Sequence, residues 1–400
     1  MDITLLATAD WDHPFWTNKQ HVAESLAALG HRVLYIDSLG LRLPTLASRD
    51  RLRLLRRLQR CLRGPRQVRP GLWVLTPPQI PSQGQAWLDR CNRGLLAASL
   101  LLARWQLRFR PDVLWTYNPR TSRLLALRCF ARSLYHCVDA IDAQPGMNGP
   151  QLRRDEQHLC QRVDLVVTTT PLLEQRCRAS ARRCVLFPNA VDVEHFARAR
   201  QPDVQIPADL AAIPEPRLLF VGALAAYKQD FGLLAAVARA HPDWSIVLIG
   251  AVGEGDPSTS VSVLEGCASI HLLGPRPYAQ LPAYLKGAAV GLIPALLNDY
   301  TRAMFPMKFF EYLAAGLPVV ATPLPALKPY GAFVDVAAEP IAFAEAIQTS
   351  LAAGTCHDPA LAELLQAVSY RQRSLEMLRL LAPSGDGSVK DSAATCASAS

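Results

Sequence analysis

The sequence repeats one pattern in both halves: a short apolar run, a segment with the length and periodicity of a helix, and another apolar run. The first half contains the apolar runs DITLLATA, HRVLYID, PDVLWTYN, SLYHCVD and VDLVVTTT, and the second half contains RLLFVGAL, SIVLIGAV, SIHLLGP, AVGLIPA and LPVVAT. Strands separated by helices pair in parallel through right-handed crossovers, and the helices cover both faces of the sheet. The pattern therefore predicts an α/β protein with two Rossmann-like domains.

The length of 400 residues also favours two domains, because it exceeds what one ordinary hydrophobic core supports. The periodicity is lost over ARARQPDVQIPADLAAIPEPR, which places the boundary near residues 190 to 215. We predict an N-terminal domain over residues 1–195 and a C-terminal domain over residues 215–360. A terminal helix over residues 361–382 and a disordered tail of small residues over 383–400 complete the chain.

The composition is that of a packed globular protein, since half of the residues are apolar. The ten cysteines are scattered, without a Cys-x-x-Cys pair or a Cys/His array. This distribution indicates reduced thiols in a cytosolic compartment and argues against a zinc site. The sequence shows neither a signal-peptide pattern nor an uninterrupted apolar run of about 18 residues. We therefore expect a cytoplasmic protein without a membrane span.

The formal net charge of +8 is concentrated in one segment, where nine arginines lie between Arg49 and Arg69 against a single Asp50. One helical face of this segment collects leucines, namely Leu54, Leu55, Leu58 and Leu62. The pattern predicts a basic amphipathic helix ending at Gly64. It is either a solvated surface helix or a helix that docks on an anionic membrane surface, where each basic residue contributes about 1 kcal/mol. Nucleic-acid binding is not expected, because no aromatic residues interleave the arginines.

Glycines and charged residues follow the predicted strands of the second half. Gly222 ends one strand and precedes Lys228, Gly250 ends the next strand, and Lys308 and Glu311 open a later helix. Ligands of parallel sheets bind beyond the carboxyl ends of the strands, where glycine lets backbone approach a phosphate. The set would suit a nucleoside diphosphate, with the carboxylate on the ribose hydroxyls. The alternative is that Glu311 pairs with Lys308 and that the glycines only make turns.

Several segments, in this order, resemble the donor domain of GT-B glycosyltransferases: PNAVDVEHF, FVGAL…K, IVLIG, LLGPRPYAQLPAYLKGAAVGLIP and PMKFFEYLAAGLPVVAT. The closest group is the family 4 type of bacterial exopolysaccharide and cell-envelope synthesis. The most specific motif is K-x-x-E-Y-L-A-x-G-x-P-V-V, which the chain carries in full. The resemblance extends over roughly residues 2 to 380 and implies two Rossmann-like domains that face a cleft.

The resemblance also implies a nucleotide-sugar donor and the residues that hold it. Glu311 is expected on the ribose, Lys308 near the phosphates or the sugar, and Gly222 and Lys228 near the diphosphate. Gly250 and Arg302 are further candidates for donor binding, Arg302 the weaker cation. GT-B enzymes use cationic side chains and helix ends to stabilise the leaving diphosphate, so we expect neither a metal ion nor another cofactor.

An inverting transferase also needs a base that deprotonates the acceptor hydroxyl. Asp139 and Asp142, in YHCVDAIDAQPG, follow a strand of the first half and would face the cleft of a GT-B protein. With Lys308 they are the candidate catalytic residues. The structural alternative is that Asp142 caps the following turn and that Asp139 pairs with an arginine.

Two departures from the family pattern leave the stereochemical class and the donor sugar open. Many retaining members carry a second glutamate eight residues before the motif glutamate, and Ala303 occupies that position here. The residues that could replace it are Asn298, Asp299, Tyr300 and Arg302. The Gly-Gly loop after the first strand of many members is replaced by ADWDHPFWTNKQH.

The sequence therefore predicts transfer of a sugar from a UDP- or GDP-linked donor to a lipid-linked or polysaccharide acceptor, at the inner face of the plasma membrane. A GT-B-shaped sugar-nucleotide epimerase is a poorer alternative, because the second half supplies few acid or base groups. A partner that binds a nucleotide sugar without turnover is a third possibility, and Ala303 is the feature that favours it.

Overall fold

The computed structural model describes residues 1–13, 15–39, 60–61, 63–80, 85–253, 256–354 and 359–382. Most of the predicted basic helix of the Arg49–Arg69 segment lies outside the described residues, which omit 40–59 and 62. The predicted tail, residues 383–400, lies outside them as well. The described residues form two sheets, one from each half.

Within the described part of the first half, the N-terminal sheet has eight strands in the order β3-β4-β2-β1-β5-β6-β7-β8, all parallel to their neighbours except the antiparallel pair β3 and β4. The order reverses between β1 and β5, and the carboxyl ends of the strands beside such a reversal form a crevice. The strands are β1 Asp2–Leu6, β2 Arg32–Ile36, β3 Arg66–Arg69, β4 Leu72–Leu75, β5 Val113–Thr116, β6 Arg132–Cys137, β7 Leu165–Thr168 and β8 Cys184–Leu186.

The helices of this half begin where local sequence satisfies their free amide groups. Asn148 accepts a hydrogen bond from the backbone of Gln151, and Thr170 accepts one from Leu173 ahead of a proline that has no N–H to satisfy. The helices are α1 Asn18–Ala28, α2 Ala86–Leu107, α3 Thr121–Leu124, α4 Gly149–Cys160 and α5 Pro171–Arg178.

The C-terminal sheet has six parallel strands in the order β11-β10-β9-β12-β13-β14, with a reversal between β9 and β12. Its strands are β9 Arg217–Val221, β10 Ser245–Ile249, β11 Ile270–Leu272, β12 Val290–Ile293, β13 Val319–Ala321 and β14 Asp335–Val336. The helices are α6 Val193–Ala197, α7 Ala208–Ala211, α8 Phe231–Ala240, α9 Leu281–Lys286, α10 Asp299–Arg302, α11 Met307–Ala315, α12 Pro340–Ala353, α13 Pro359–Ala367 and α14 Tyr370–Leu381.

Strand β9 shows why the apolar runs become central strands. Leu219 and Val221 pack into the core on one face of the sheet, and Leu218 and Phe220 pack into the core on the other. Successive side chains of a strand point to opposite faces, so a strand covered on both faces must be apolar throughout. The predicted α/β fold with two parallel sheets is confirmed.

The terminal segment returns to the N-terminal half, where Tyr370, Met377 and Leu381 belong to the same core as β1. Residues 361–382 were predicted as one helix, but the structure divides this segment into α13 and α14. At the break, the backbone bonds to another segment instead of continuing the helix. The carbonyl of Val368 accepts a hydrogen bond from the amide of Val191, 3.0 Å away. Ser369 then caps α14 by accepting a hydrogen bond from Gln372.

Candidate active site

Gly222 and Gly250 lie side by side at the carboxyl ends of β9 and β10. A Cβ atom built on Gly250 would lie 1.7 Å from the carbonyl oxygen of Gly222. The amide of Gly222 donates to the carbonyl of Ile249 at 2.9 Å, and this hydrogen bond holds the ends of β9 and β10 together. The position therefore requires glycine, and it leaves bare backbone at the edge of the sheet where a phosphate could approach.

We expect Gly250→Ala to destabilise the protein by about 2 kcal/mol or more, because the added methyl group forces apart two hydrogen-bonded backbone segments. The midpoint of urea unfolding measures the effect. Gly94→Ala is the matched control, since a Cβ at Gly94 meets no atom within 4 Å. In α2 it should leave the midpoint unchanged or raise it. Equal midpoints for the two variants would contradict the argument.

Lys308 and Glu311 lie one turn apart on α11, and the Lys308 Nζ forms an ion pair with Glu311 Oε2. Only 3% of Glu311 is exposed, whereas Lys308 is half-buried. A buried carboxylate needs a partner, and Lys308 supplies it. The structure thus contains the ion pair that the sequence offered as the alternative to a ribose contact. The two roles are compatible, because a carboxylate has two oxygens and accepts several hydrogen bonds.

Aromatic and histidine rings surround this pair and join the two domains. Tyr278 stacks on His195 with ring centroids 4.3 Å apart, and Trp16 of the N-terminal domain stacks on the same tyrosine at 6.3 Å. His21, on α1, lies 5.0 Å from Tyr278. Burial, together with the positive charge of Lys308, lowers the pKa of His21 to about 3. His21 is therefore neutral at pH 7, and α1 lies close to the motif lysine.

A second group of polar residues is centred on Asp139, which follows β6. Lys19 Nζ lies 3.6 Å from Asp139 Oδ2, and the Tyr300 hydroxyl donates to Asp139 Oδ1 at 3.4 Å. Lys228 Nζ lies 5.3 Å from the centroid of the Tyr300 ring. Burial lowers the pKa of Lys19. The attraction of Asp139 opposes this shift, and the repulsion of Lys228 adds to it. Burial, and then Asp139, raises the pKa of Tyr300 well above its ordinary value.

The first turn of α1 links the two groups into one site. The positive charge of Lys228 contributes to the lowered pKa of Lys19. The charge of Lys308 does the same for the pKa of His21, two residues further along the helix. The site thus combines the loop after β9, the start of α11 and the start of α1, where the two domains meet. Sequence analysis did not select Lys19. The sequence feature that could have indicated Lys19 is its place in the first turn of a helix, where the positive end of the helix dipole disfavours a cation.

Asp142 and Arg302, two further predicted site residues, lie in surroundings different from these two groups. Asp142 forms ion pairs with Arg176 at 2.9 Å and Arg153 at 3.6 Å, and Arg176 continues to Glu156 at 2.9 Å. Both oxygens of Asp142 are therefore engaged by arginines, whereas the structural alternative had Asp142 capping the following turn and gave the arginine partner to Asp139. Arg302 is exposed and lines a cavity of about 490 Å³ together with Thr170, Pro171, Leu172, Pro325, Ala326, Lys328 and Pro329.

Ala303, at the position of the second family glutamate, is buried against the N-terminal domain. Its carbonyl accepts a hydrogen bond from the Thr170 hydroxyl at 3.3 Å. Among the residues suggested as replacements, Asn298 caps α10 and donates to the carbonyl of Tyr227 at 2.7 Å. Tyr300 instead contacts Asp139. Tyr300 is therefore the suggested replacement that the structure brings to the site.

A chain of hydrogen bonds fixes the two domains beside α11. His136 Nδ1 lies 3.1 Å from the Tyr117 hydroxyl, which donates to Asn18 at 2.9 Å. Asn18 donates to Asn189, and Asn189 donates to the carbonyl of Phe305, each at 2.9 Å. Burial lowers the pKa of His136 to about 3, so this histidine is a neutral, hydrogen-bonded core residue.

One group of candidate metal ligands occurs among the described residues: Cys137, Glu156 and Cys177, all buried, with ligand atoms within 4.8 Å of one another. Glu156 already accepts a hydrogen bond from Tyr135 at 2.7 Å and pairs with Arg176. A cation would have to displace the arginine. These residues therefore fit a buried polar network better than a metal site, and the absence of a metal requirement stays a prediction.

The arrangement of both sheets agrees with solved structures. The chain aligns with sucrose-phosphate synthase from Thermosynechococcus elongatus over 94% of its own length and 97% of that protein, with a TM-score of 0.65 at 19% identity. It aligns with Anabaena HepE, solved in complex with UDP and glucose, over 95% and 99%, with a TM-score of 0.65 at 17% identity. The protein has the GT-B fold.

The C-terminal domain of this GT-B protein carries the family relationship in its sequence. Residues 215–353 match the family described as "Glycosyl transferases group 1". TuaH of Bacillus subtilis (strain 168), described as a glycosyltransferase of teichuronic acid biosynthesis, is 29% identical over 235 residues, which span 54% of the chain and 58% of TuaH. Both findings confirm the predicted relationship to the GT-B glycosyltransferases. None of the described helices has the length and hydropathy to span a bilayer.

Proposed function

We propose that the protein transfers a sugar from a UDP- or GDP-linked donor to a lipid-linked or polysaccharide acceptor of the bacterial envelope, at the inner face of the membrane. One observation carries the proposal: the buried Glu311 and two lysines of the C-terminal domain share a site with Asp139 of the N-terminal domain. TuaH, described as acting in teichuronic acid biosynthesis, and HepE, solved with UDP and glucose, support the class of reaction.

The C-terminal domain would bind the donor. The backbone beside Gly222 and Gly250 would receive the diphosphate, with Lys228 as the nearby cation. Glu311 would accept hydrogen bonds from the ribose hydroxyls, and Lys308 would turn from Glu311 towards a phosphate or the sugar. Positive charges placed before the reaction stabilise the negative charge that develops on the leaving diphosphate. No metal ion is part of the proposal.

The N-terminal domain would bind the acceptor near Asp139. Lys19 and Tyr300 contact different oxygens of this carboxylate and fix its orientation. In an inverting reaction, Asp139 would accept the proton of the acceptor hydroxyl as that hydroxyl attacks the anomeric carbon. Because Tyr300 belongs to the C-terminal domain, Asp139 would gain this second contact only when the two domains are close together.

The test is incubation of the purified protein with a panel of UDP- and GDP-sugars, with and without lipid-linked saccharides extracted from bacterial membranes. Mass spectrometry follows the nucleotide and the sugar. Release of a nucleoside diphosphate that increases with acceptor is expected. A changed nucleotide sugar without release of diphosphate would replace the proposal with epimerisation. Thermal stabilisation by a nucleotide sugar without any turnover would replace it with a binding protein.

A further inference from the structure

Helix α2 exposes a stripe of large apolar side chains. Trp87 is 64% exposed, Leu101 65%, Leu102 61% and Trp105 79%. The two tryptophans are 18 residues apart, which is about five turns and about 27 Å along one line of the helix. The opposite face of α2 is buried in the N-terminal core through Leu96. A monomeric protein rarely exposes four large apolar side chains along one helix unless they meet another surface.

Arginines border the stripe on one side. Arg90 is exposed and lies about 60° around the helix axis from the two tryptophans, and Arg108, also exposed, directly follows the last residue of the helix. The sole acidic residue of α2 is Asp89, which is buried and pairs with Arg120 at 2.9 Å. The exposed face of the helix therefore combines apolar side chains with basic ones.

The positive charge continues from α2 into a neighbouring cavity of about 580 Å³. Four arginines line this cavity: Arg93, Arg128, Arg162 and Arg182. Its acidic lining residue, Asp164, already accepts hydrogen bonds from the amide and hydroxyl of Ser133 at 2.7 and 2.9 Å. Guanidinium groups gathered in this way favour a phosphate, which they bind through paired N–H donors.

We propose that the exposed face of α2 docks on an anionic lipid bilayer. The leucines and tryptophans would enter the boundary between headgroups and acyl chains, where amphipathic rings are favoured, and the arginines would contact lipid phosphates. A second copy is a poorer occupant, because a two-fold interface through the same face would place the arginines of both copies in one interface. The residues of this surface lie outside the Arg49–Arg69 segment in sequence, and the proposal does not depend on the proposed catalysis.

Co-sedimentation of the full chain with vesicles tests the proposal. Binding is expected to vesicles that contain phosphatidylglycerol, with release at high salt, and not to vesicles of phosphatidylcholine alone. The double variant Leu101→Ser/Trp105→Ser should lose affinity about tenfold or more. Arg90→Gln/Arg108→Gln should lose about thirtyfold, since each basic residue contributes about 1 kcal/mol at an anionic surface. Ile341→Ser, at a site 77% exposed in the C-terminal domain, is the control and should bind like wild type.

Three results would overturn the proposal. The wild type could fail to bind anionic vesicles. The α2 variants could bind them as tightly as the wild type, which would assign the contact to another surface such as the Arg49–Arg69 segment. The chain could be dimeric in solution without vesicles and become monomeric in the α2 variants, which would identify a second copy as the occupant. Thermal unfolding of each variant shows whether a loss of binding reflects a loss of fold.

Discussion

Glu311→Gln is expected to abolish the stabilisation of the protein by UDP or GDP. The substitution keeps the volume of the side chain but removes the ionised acceptor that would receive the ribose hydroxyls. Hydrogen bonds to a charged group are worth about 1.5–3 kcal/mol each, so loss of two should weaken binding about 100-fold or more. A ligand at 100 times its dissociation constant adds about 2.7 kcal/mol to the wild type, and the shift in melting temperature measures it.

Two comparisons separate the ribose role from the ion pair with Lys308. Inorganic pyrophosphate has no ribose, so Glu311→Gln should bind it like the wild type. Lys308→Gln breaks the same ion pair from its other end and should weaken pyrophosphate more than Glu311→Gln does, because it removes a cation near the phosphates. If Glu311→Gln is stabilised by UDP as strongly as the wild type, the carboxylate is only the structural partner of Lys308.

The fold could be predicted from the sequence because its strongest signal is local and physical. Central strands such as β9 are buried on both faces. A short apolar run between two helices can bury all of its side chains as such a strand, and few other structures allow this. The edge hairpin of β3 and β4 gave no such signal. Strand β3 carries Arg66 and Arg69 and is largely exposed, so its sequence lacks the alternation that marks a strand.

The same contrast between local and distant contacts holds for the site. The Lys308–Glu311 pair follows from helix geometry alone, because residues three apart lie on one face. The contact between Asp139 and Tyr300 joins positions 161 residues apart and depends on how the domains meet. Lys19 joins the site through that arrangement as well. Asp142 looked equivalent to Asp139 in sequence, yet Arg176, 34 residues away, pairs with its carboxylate.

The different surroundings of Asp139 and Asp142 predict that only one of them is needed for turnover. Asp139→Asn should reduce turnover about 100-fold or more while leaving donor binding unchanged, because the amide retains the size of the carboxylate but cannot take the acceptor proton. Initial rates at saturating donor and acceptor measure turnover. The melting-temperature shift with UDP measures donor binding on the same sample and shows that the fold is retained.

Asp142→Asn is the matched control, since the same change is made three residues away in a carboxylate engaged by two arginines. It should lower the free energy of unfolding by about 1–3 kcal/mol, because it weakens a partly buried charge-assisted hydrogen bond to Arg176. The folded fraction should keep its turnover. If Asp142→Asn loses turnover with its fold intact and Asp139→Asn does not, the base lies in the arginine network. If neither variant loses turnover, no carboxylate of this strand end takes the proton, as a reaction with retention would allow.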